Sequence, residues 1–128
     1  MTIRWLVDHG DRLICVTATG ALTRQDLDSY FAAVVTEGAV GYRALFDARN
    51  ANLELQPSDL AALSQLVKDR KRDDVSDGSI ALLVNSEAER EMGDYFAART
   101  DGERPCRLFT SAEEARAWLK GAPGSKPD

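Results

Sequence analysis

The chain has 128 residues, of which 44% are hydrophobic and 29% are charged, as expected for one globular domain with its own core. It carries 16 Lys and Arg residues against 21 Asp and Glu residues, and the formal net charge of −5 disfavours a general nucleic-acid or anionic-membrane binder. No stretch approaches the roughly 20 apolar residues of a membrane span, and the N-terminus lacks the apolar run of a signal peptide. We therefore expect a cytoplasmic protein without a membrane span, in which residues 1–120 form one domain and residues 121–128 a disordered tail.

The first twenty residues predict a β-hairpin. Residues 3–7 alternate between apolar and more polar side chains, which is the pattern of a half-buried strand. Residues 8–11, Asp-His-Gly-Asp, favour a tight turn. A second strand, rich in β-branched residues, is expected over 12–19 and is predicted to end at Gly20.

The rest of the chain alternates between helices and short apolar strands. Apolar side chains at helical spacing predict four helices, and three continuously apolar runs predict buried strands of the kind found in parallel sheets. Residues 48–57 show no strong period and are predicted to form a loop. The helical stripes are Leu27, Tyr30, Phe31, Val34 and Val35; Leu60, Leu63 and Val67; Ala88, Met92, Tyr95, Phe96 and Arg99; and Ala112, Ala115, Trp118 and Leu119.

The predicted order is ββαβαβαβα, a single α/β domain with a mixed, mostly parallel five-stranded sheet and about four helices. Phe46, Leu82 and Leu108 are expected to be buried in adjacent central strands. They should face helix residues, namely Leu27, Phe31, Leu63 or Phe96. Capping pairs support the helix starts, with Thr23 and Asp26 before the first helix and Ser111 before the last.

Five polar residues near the carboxyl ends of the predicted strands are the candidate ligand-binding or partner-binding residues: Asp47, Ser58, Asn85, Ser86 and Ser111. Parallel sheets bind ligands at this edge, and helix N-termini present free N–H groups that can hold an anion. Each residue also has a simpler interpretation. The carboxylate would accept N–H groups of the following loop, and the other four would cap helices.

No residue set predicts a catalytic site, a metal site or a cofactor. His9 is the one histidine and lies in a predicted turn, and Cys15 and Cys106 are expected to be small buried hydrophobes. Phosphate-binding glycine motifs and the nucleophile-elbow motif are absent. The alternating glutamates of 87–91 are predicted to form a solvated surface. The charged run 68–77 has four bases and four acids, so no nucleic-acid partner is expected.

Three local features give the sequence a resemblance to a known family. They are Gly20-Ala21-Leu22-Thr23 before a helix, Arg43-Ala44-Leu45-Phe46-Asp47, and Arg107-Leu108-Phe109 followed by Glu114-Ala115-Arg116-Ala117-Trp118-Leu119. With the order ββαβαβαβα, they resemble the SpoIIAA-like branch of the STAS domains (sulphate transporter and anti-sigma factor antagonist) over residues 1–119. The resemblance implies a bacterial, non-catalytic regulatory or protein-interaction module, either monomeric or homodimeric, with a regulatory protein as its partner.

The resemblance also bears on Ser58 and on an alternative function. Family members accept a phosphate on a Ser or Thr at the start of the second helix, usually within Asp-Ser-Ser-Gly. Residues 56–60 here read Gln-Pro-Ser-Asp-Leu, which keeps one serine without the doublet or the glycine. Ser58 is therefore either a phosphorylation site or a plain helix cap. The family's link by fold to Sec14-type lipid-binding domains implies the alternative, a carrier for a lipid-like or anionic small ligand.

Overall fold

The computed structural model describes residues 3–69, 78–100 and 105–121. Five strands form one sheet in the spatial order β1-β2-β3-β4-β5, with β1 antiparallel to β2 and every other pair parallel. The predicted order of elements along the chain, ββαβαβαβα, and the mixed, mostly parallel sheet are confirmed. The elements are β1 (Ile3–Asp8), β2 (Leu13–Thr23), α1 (Arg24–Thr36), β3 (Arg43–Glu54), α2 (Pro57–Asp69), β4 (Ile80–Leu83), α3 (Glu87–Thr100), β5 (Cys106–Phe109) and α4 (Ala112–Lys120).

The two faces of the sheet carry separate hydrophobic clusters, because successive side chains of a strand point to opposite faces. Helices α1, α2 and α3 cover one face, and α4 covers the other over β3, β4 and β5. The larger cluster is built around Ile14, Val16, Leu22, Leu27, Tyr30, Leu60 and Leu63. The smaller one contains Leu45, Ala81, Leu83, Ala115 and Leu119.

Phe46, Leu82 and Leu108 lie in adjacent central strands, as predicted, but their burial differs from the prediction. Phe46 pairs with Leu82, and Leu82 pairs with Leu108, so the three side chains lie next to one another across β3, β4 and β5. All three are half-buried, so the expected full burial is wrong. Leu45 and Leu83, which are adjacent in sequence to Phe46 and Leu82, point to the opposite face of the sheet. There they are buried under α4.

Strands β2 and β3 are longer than predicted and form a two-stranded parallel extension of the sheet. Gly20 does not end β2, because it adopts φ +69°, a conformation open to glycine, and the strand continues to Thr23. The predicted loop over 48–57 is wrong, since β3 continues to Glu54. The pairing shifts by one residue between Thr17 and Thr19 of β2, which is a β-bulge in the facing part of β3.

Helix α3 turns a different face to the core than its apolar pattern predicts. Glu89 and Gly93 are buried, whereas Ala88 and Tyr95 are exposed. A Cβ on Gly93 would lie 2.8 Å from a methyl group of Leu108, so the helix approaches β5 closely at this glycine. The close contact fixes which side of α3 faces the sheet.

A buried arginine joins α4 to the hairpin turn. Arg43 donates from one Nη to the carbonyl of Leu119 at 3.0 Å and from the other to the carbonyl of Asp11 at 2.6 Å. The guanidinium thereby satisfies a carbonyl at the C-terminal end of the helix. Of the predicted tail only Gly121 is described, and residues 70–77 of the charged run also lie outside the described residues.

Candidate functional site

An apolar cavity of about 120 Å³ lies between the sheet and helices α1, α2 and α3. Its floor includes Phe46 and Leu82, which explains why these side chains are only half-buried. Glu89 is the one charged residue among those that line it. The remaining lining side chains are aliphatic, aromatic or glycine, and they include Leu22, Leu27, Tyr30, Phe31, Leu63, Met92 and Phe96.

Small side chains on β3 create part of this space. Ala44 and Ala48 flank Phe46 on the same face of the strand, and all three line the cavity. Two alanines on a sheet floor leave volume that the facing helices must fill with long side chains. Leu60 and Leu63 of α2 reach the cavity wall but do not close it. The result is a cavity beside the larger hydrophobic cluster that is partly open to solvent.

A second cavity, of about 240 Å³ and with a more polar wall, lies between the extension of β3 and the start of α3. Three residues, Leu53, Glu89 and Met92, line both cavities, so the two spaces are neighbours. Asn85 and Arg49 contribute to the wall of the second cavity alone. The more polar space thus adjoins the apolar one at Leu53, Glu89 and Met92.

Glu89 is held at this boundary by the cap of α3. Ser86 Oγ accepts the N–H of Glu89 at 3.2 Å, which makes Ser86 the cap of the helix. In return Glu89 Oε1 accepts the N–H of Asn85 at 3.2 Å. Glu89 is only 6% exposed, so the prediction that it belongs to a solvated surface is wrong.

Asp47 is bound by Arg49, two residues further along the same strand. Its Oδ1 accepts the N–H of Arg49 at 3.1 Å and the Nε–H at 3.0 Å, and its Oδ2 lies 2.9 Å from an Nη. The side-chain hydrogen bond with Arg49 is the main cause that lowers the pKa of Asp47. Asp47 thus lies inside β3 rather than after it, and its carboxylate already has a cationic partner.

The other predicted site residues do not form one cluster. Asn85 and Ser86 border the second cavity, whereas Ser58 and Ser111 border neither cavity. Ser111 caps α4 by accepting the N–H of Glu114 at 3.3 Å. The prediction that Ser58 caps α2 is wrong, because the helix begins at Pro57 and Ser58 is an exposed residue of its first turn.

Sequence reasoning missed Glu89 and Arg49 as residues of the site. The pattern Ser86-x-x-Glu89 has the spacing of a capping box and could have placed the glutamate beside the helix start. No nearby sequence pattern indicates that Glu89 is buried. Arg49 was missed because it lies in the predicted loop. That loop was predicted because the alternation of apolar and polar side chains changes phase at the bulge in β3.

Histidine and cysteine do not form a site in the described part of the chain. His9 is exposed, with Nδ1 2.7 Å from the Tyr42 hydroxyl. Cys15 and Cys106 are unbridged and half-buried, so their expected full burial is wrong. Within the described ranges, no group of three His, Cys, Asp or Glu residues has the arrangement of a metal site. None of the helices described there is long and apolar enough to cross a membrane.

No family model and no curated protein matches the sequence, but two solved structures have a similar backbone. One is an uncharacterised protein of the DUF3478 family with a SpoIIAA-like fold from Shewanella loihica, with a TM-score of 0.60 and 20% identity over 91% of each chain. The chain has a SpoIIAA-like fold. The other is the anti-sigma factor antagonist SpoIIAA in its unphosphorylated form, with a TM-score of 0.58 and 14% identity over 93% of this chain and 98% of that one. At these identities the likeness concerns the fold, and the predicted STAS-type fold is confirmed.

Proposed function

We propose that this chain is a non-catalytic binding module that holds one small apolar molecule between its sheet and helices α1, α2 and α3. The observation that carries the proposal is the apolar cavity of about 120 Å³. A dry apolar cavity of about 150 Å³ is large enough for benzene, so this one suits a single small ring or a short alkyl chain. The neighbouring cavity of about 240 Å³ gives a longer molecule room for its polar end.

The chemistry of the cavity walls supports binding rather than catalysis. The charged side chains that line the two cavities are Glu89 and Arg49. Arg49 is paired with Asp47, and Glu89 is engaged in the cap of α3. Nucleophilic and acid–base catalysis need a reactive group beside a partner that activates it, and the walls supply hydrocarbon instead.

The binding proposal is tested by titrating the protein with benzene and following amide shifts by NMR. We expect saturable shifts at Phe46, Leu82 and the other cavity-lining residues. Ala48→Leu, which places three more carbons into the cavity, should remove them. Ala98→Leu, the same change on the exposed surface of α3, is the matched control and should bind as the wild type does. Shifts that fail to saturate, or that spread over the surface, would contradict the proposal.

A protein-interaction role is the second candidate, and an exposed apolar side chain favours it. Leu6 on β1 is 78% exposed, and its register partner Cys15 lies on the same face of the sheet, away from α1, α2 and α3. Helix α4 contacts β3, β4 and β5, which leaves this part of the sheet open to a partner. The similar structure of SpoIIAA is named for action on an anti-sigma factor, which is a protein.

The interaction role predicts that a protein partner binds in a fixed stoichiometry and that this binding depends on Leu6. Leu6→Lys should abolish co-purification of that partner after cross-linking in the host, whereas Val35→Lys, on the exposed side of α1, should retain it. Ser58 remains the candidate phosphorylation site, because it is exposed in the first turn of α2, where a phosphate is favoured by the helix dipole. Ser58→Asp should then weaken binding of the same partner without changing the midpoint of thermal denaturation.

A further inference from the structure

Strand β1 forms an open edge of the sheet. It pairs with β2 on one side, and no strand of the described residues pairs with its other side. The backbone N–H and C=O groups on that side are a template for pairing with another chain. Sheet edges are commonly protected by lysine, proline or a bulge, and the six residues of β1 contain no lysine or proline and pair with β2 without a bulge.

The side chains of β1 that point away from α1 carry a symmetric charge pattern. Leu6 is 78% exposed, and the exposed residues Arg4 and Asp8 lie two positions before and after it. In an extended strand, residues four positions apart are separated by roughly 13 Å, so these two cannot pair within one chain. A strand with opposite charges at equal distances from its centre is complementary to an antiparallel copy of itself.

We infer that the chain forms a homodimer in which β1 pairs antiparallel with β1 of a second copy, centred on Leu6. Arg4 of each copy then lies opposite Asp8 of the other, so the two-fold axis generates two opposite-charge pairs. Leu6 lies opposite its own copy. The inference does not depend on the apolar cavity, and it specifies the partner of the surface around Leu6.

The other face of β1 fits the same register. Trp5 of one copy lies opposite Val7 of the other, and both side chains pack against the larger hydrophobic cluster. Pairs of an aromatic and a β-branched residue stabilise neighbouring strands. A shift of the register by two residues would place Leu6 opposite either Arg4 or Asp8 and would separate the opposite charges. Because only one short strand is paired, we expect the dimer to be weak.

Sedimentation velocity over a dilution series tests the inference on the purified protein. We expect wild-type dimers that dissociate on dilution through the micromolar range. Arg4→Asp should weaken dimerisation at least about tenfold, because it places two acids opposite each other at both ends of the pairing. Arg116→Asp, the same charge change on the exposed side of α4, is the matched control and should dimerise as the wild type does.

Asp8→Arg is the reciprocal variant, and a mixture tests the register. Alone it should weaken dimerisation by a similar factor, although it brings the net charge of −5 closer to zero and so reduces the overall repulsion between copies. In an equimolar mixture with Arg4→Asp, every acid at position 4 or 8 again faces a base, now between unlike chains. We expect the mixture to dimerise about as tightly as the wild type.

Three results would overturn the inference. Wild-type protein that stays monomeric at millimolar concentration leaves the Leu6 surface to a different partner. A dimer that Arg4→Asp does not weaken uses another surface. A mixture of the two folded variants that stays monomeric refutes the pairing of position 4 with position 8. Asp8 Oδ1 accepts the N–H of Asp11 in the turn at 3.0 Å, so Asp8→Arg is checked by circular dichroism; should it not fold, the wild type, Arg4→Asp and the control still decide.

Discussion

Ala48→Val tests the apolar cavity through protein stability. Ala48 is 5% exposed, lies on β3 and lines the cavity, so a larger side chain there enters the void. Two added carbons contribute about 0.8 kcal/mol each, so the gain from burial is at most about 1.6 kcal/mol. The cavity of about 120 Å³ is large enough to hold the two added carbons.

The expected net effect is smaller than this limit, because the new methyl groups must fit existing rotamers. We expect the free energy of unfolding to rise by about 1 kcal/mol, in the range usual for cavity-filling substitutions. Valine also suits an extended strand better than alanine does, which adds to the gain.

Ala81→Val is the matched control on the other face of the sheet. Ala81 is 0% exposed and packs in the cluster formed with Leu83, Ala115 and Leu119 under α4. Ala81 lines neither of the two cavities described above, so the same two carbons must push against packed neighbours. Overpacking should therefore lower the free energy of unfolding by about 1–3 kcal/mol.

Urea denaturation of the two variants and the wild type gives the comparison. The midpoint should move up for Ala48→Val and down for Ala81→Val, with the same denaturant slope in all three proteins. A loss of more than about 1 kcal/mol in Ala48→Val, similar to that in Ala81→Val, would show that the space beside Phe46 is filled in solution. The proposal of a ligand cavity would then have no physical basis.

Further substitutions test the strand pairing, one glycine contact and one ion pair. Phe46→Ala should cost about 2–3 kcal/mol in thermal or urea denaturation, below the 3–5 kcal/mol typical of a fully buried Phe, because Phe46 is half-buried beside the cavity. Gly78→Ala should cost about 3 kcal/mol, because its Cβ would overlap the backbone nitrogen of Arg43, whereas Gly121→Ala, with open space around it, should change stability by less than about 0.5 kcal/mol. Asp47→Asn should lose up to about 1 kcal/mol near pH 7. The lowered folded-state pKa of Asp47 means that this difference is present above the unfolded pKa of about 3.9 and disappears as the pH falls through the folded value, so denaturation near pH 7 and pH 2 should differ accordingly.

The alternation of elements was predictable because it depends on local patterns. The apolar spacing of α1 and the capping box of Thr23 with Asp26 both lie within a few residues, and the structure contains both. The placement of Phe46 and Leu82 in adjacent strands was also predicted, once the apolar runs were recognised as strands. The order of helices and strands along the chain therefore needs little beyond the local period of the sequence.

The extension of β3 was missed because a bulge interrupts its period. Phe46 lines the cavity before the bulge, and Leu53 lines it after the bulge, seven residues later, which is an odd number. A search for one unbroken period of two finds no strand across that change of phase. The bulge is a tertiary feature of the pairing with β2, so no local pattern contains it.

The burial of Glu89 could not be predicted from its own residue type, since a lone glutamate on a helix is usually solvated. Its position depends on the rotation of α3 about its axis, which the contact between Gly93 and Leu108 determines. Those two residues are on different elements and are brought together only by the fold. Glu89 therefore faces the cavity because Gly93, one turn further along α3, packs against Leu108.

Stability and ligand binding are coupled through the same void. A ligand that binds only the folded state stabilises it by about 2.7 kcal/mol at a hundred times its dissociation constant. The added methyl groups of Ala48→Val and a bound ligand would occupy the same space, so each should exclude the other. The variant should be more stable than the wild type without ligand and should gain less when ligand is added, a pattern that a surface-binding molecule would not produce.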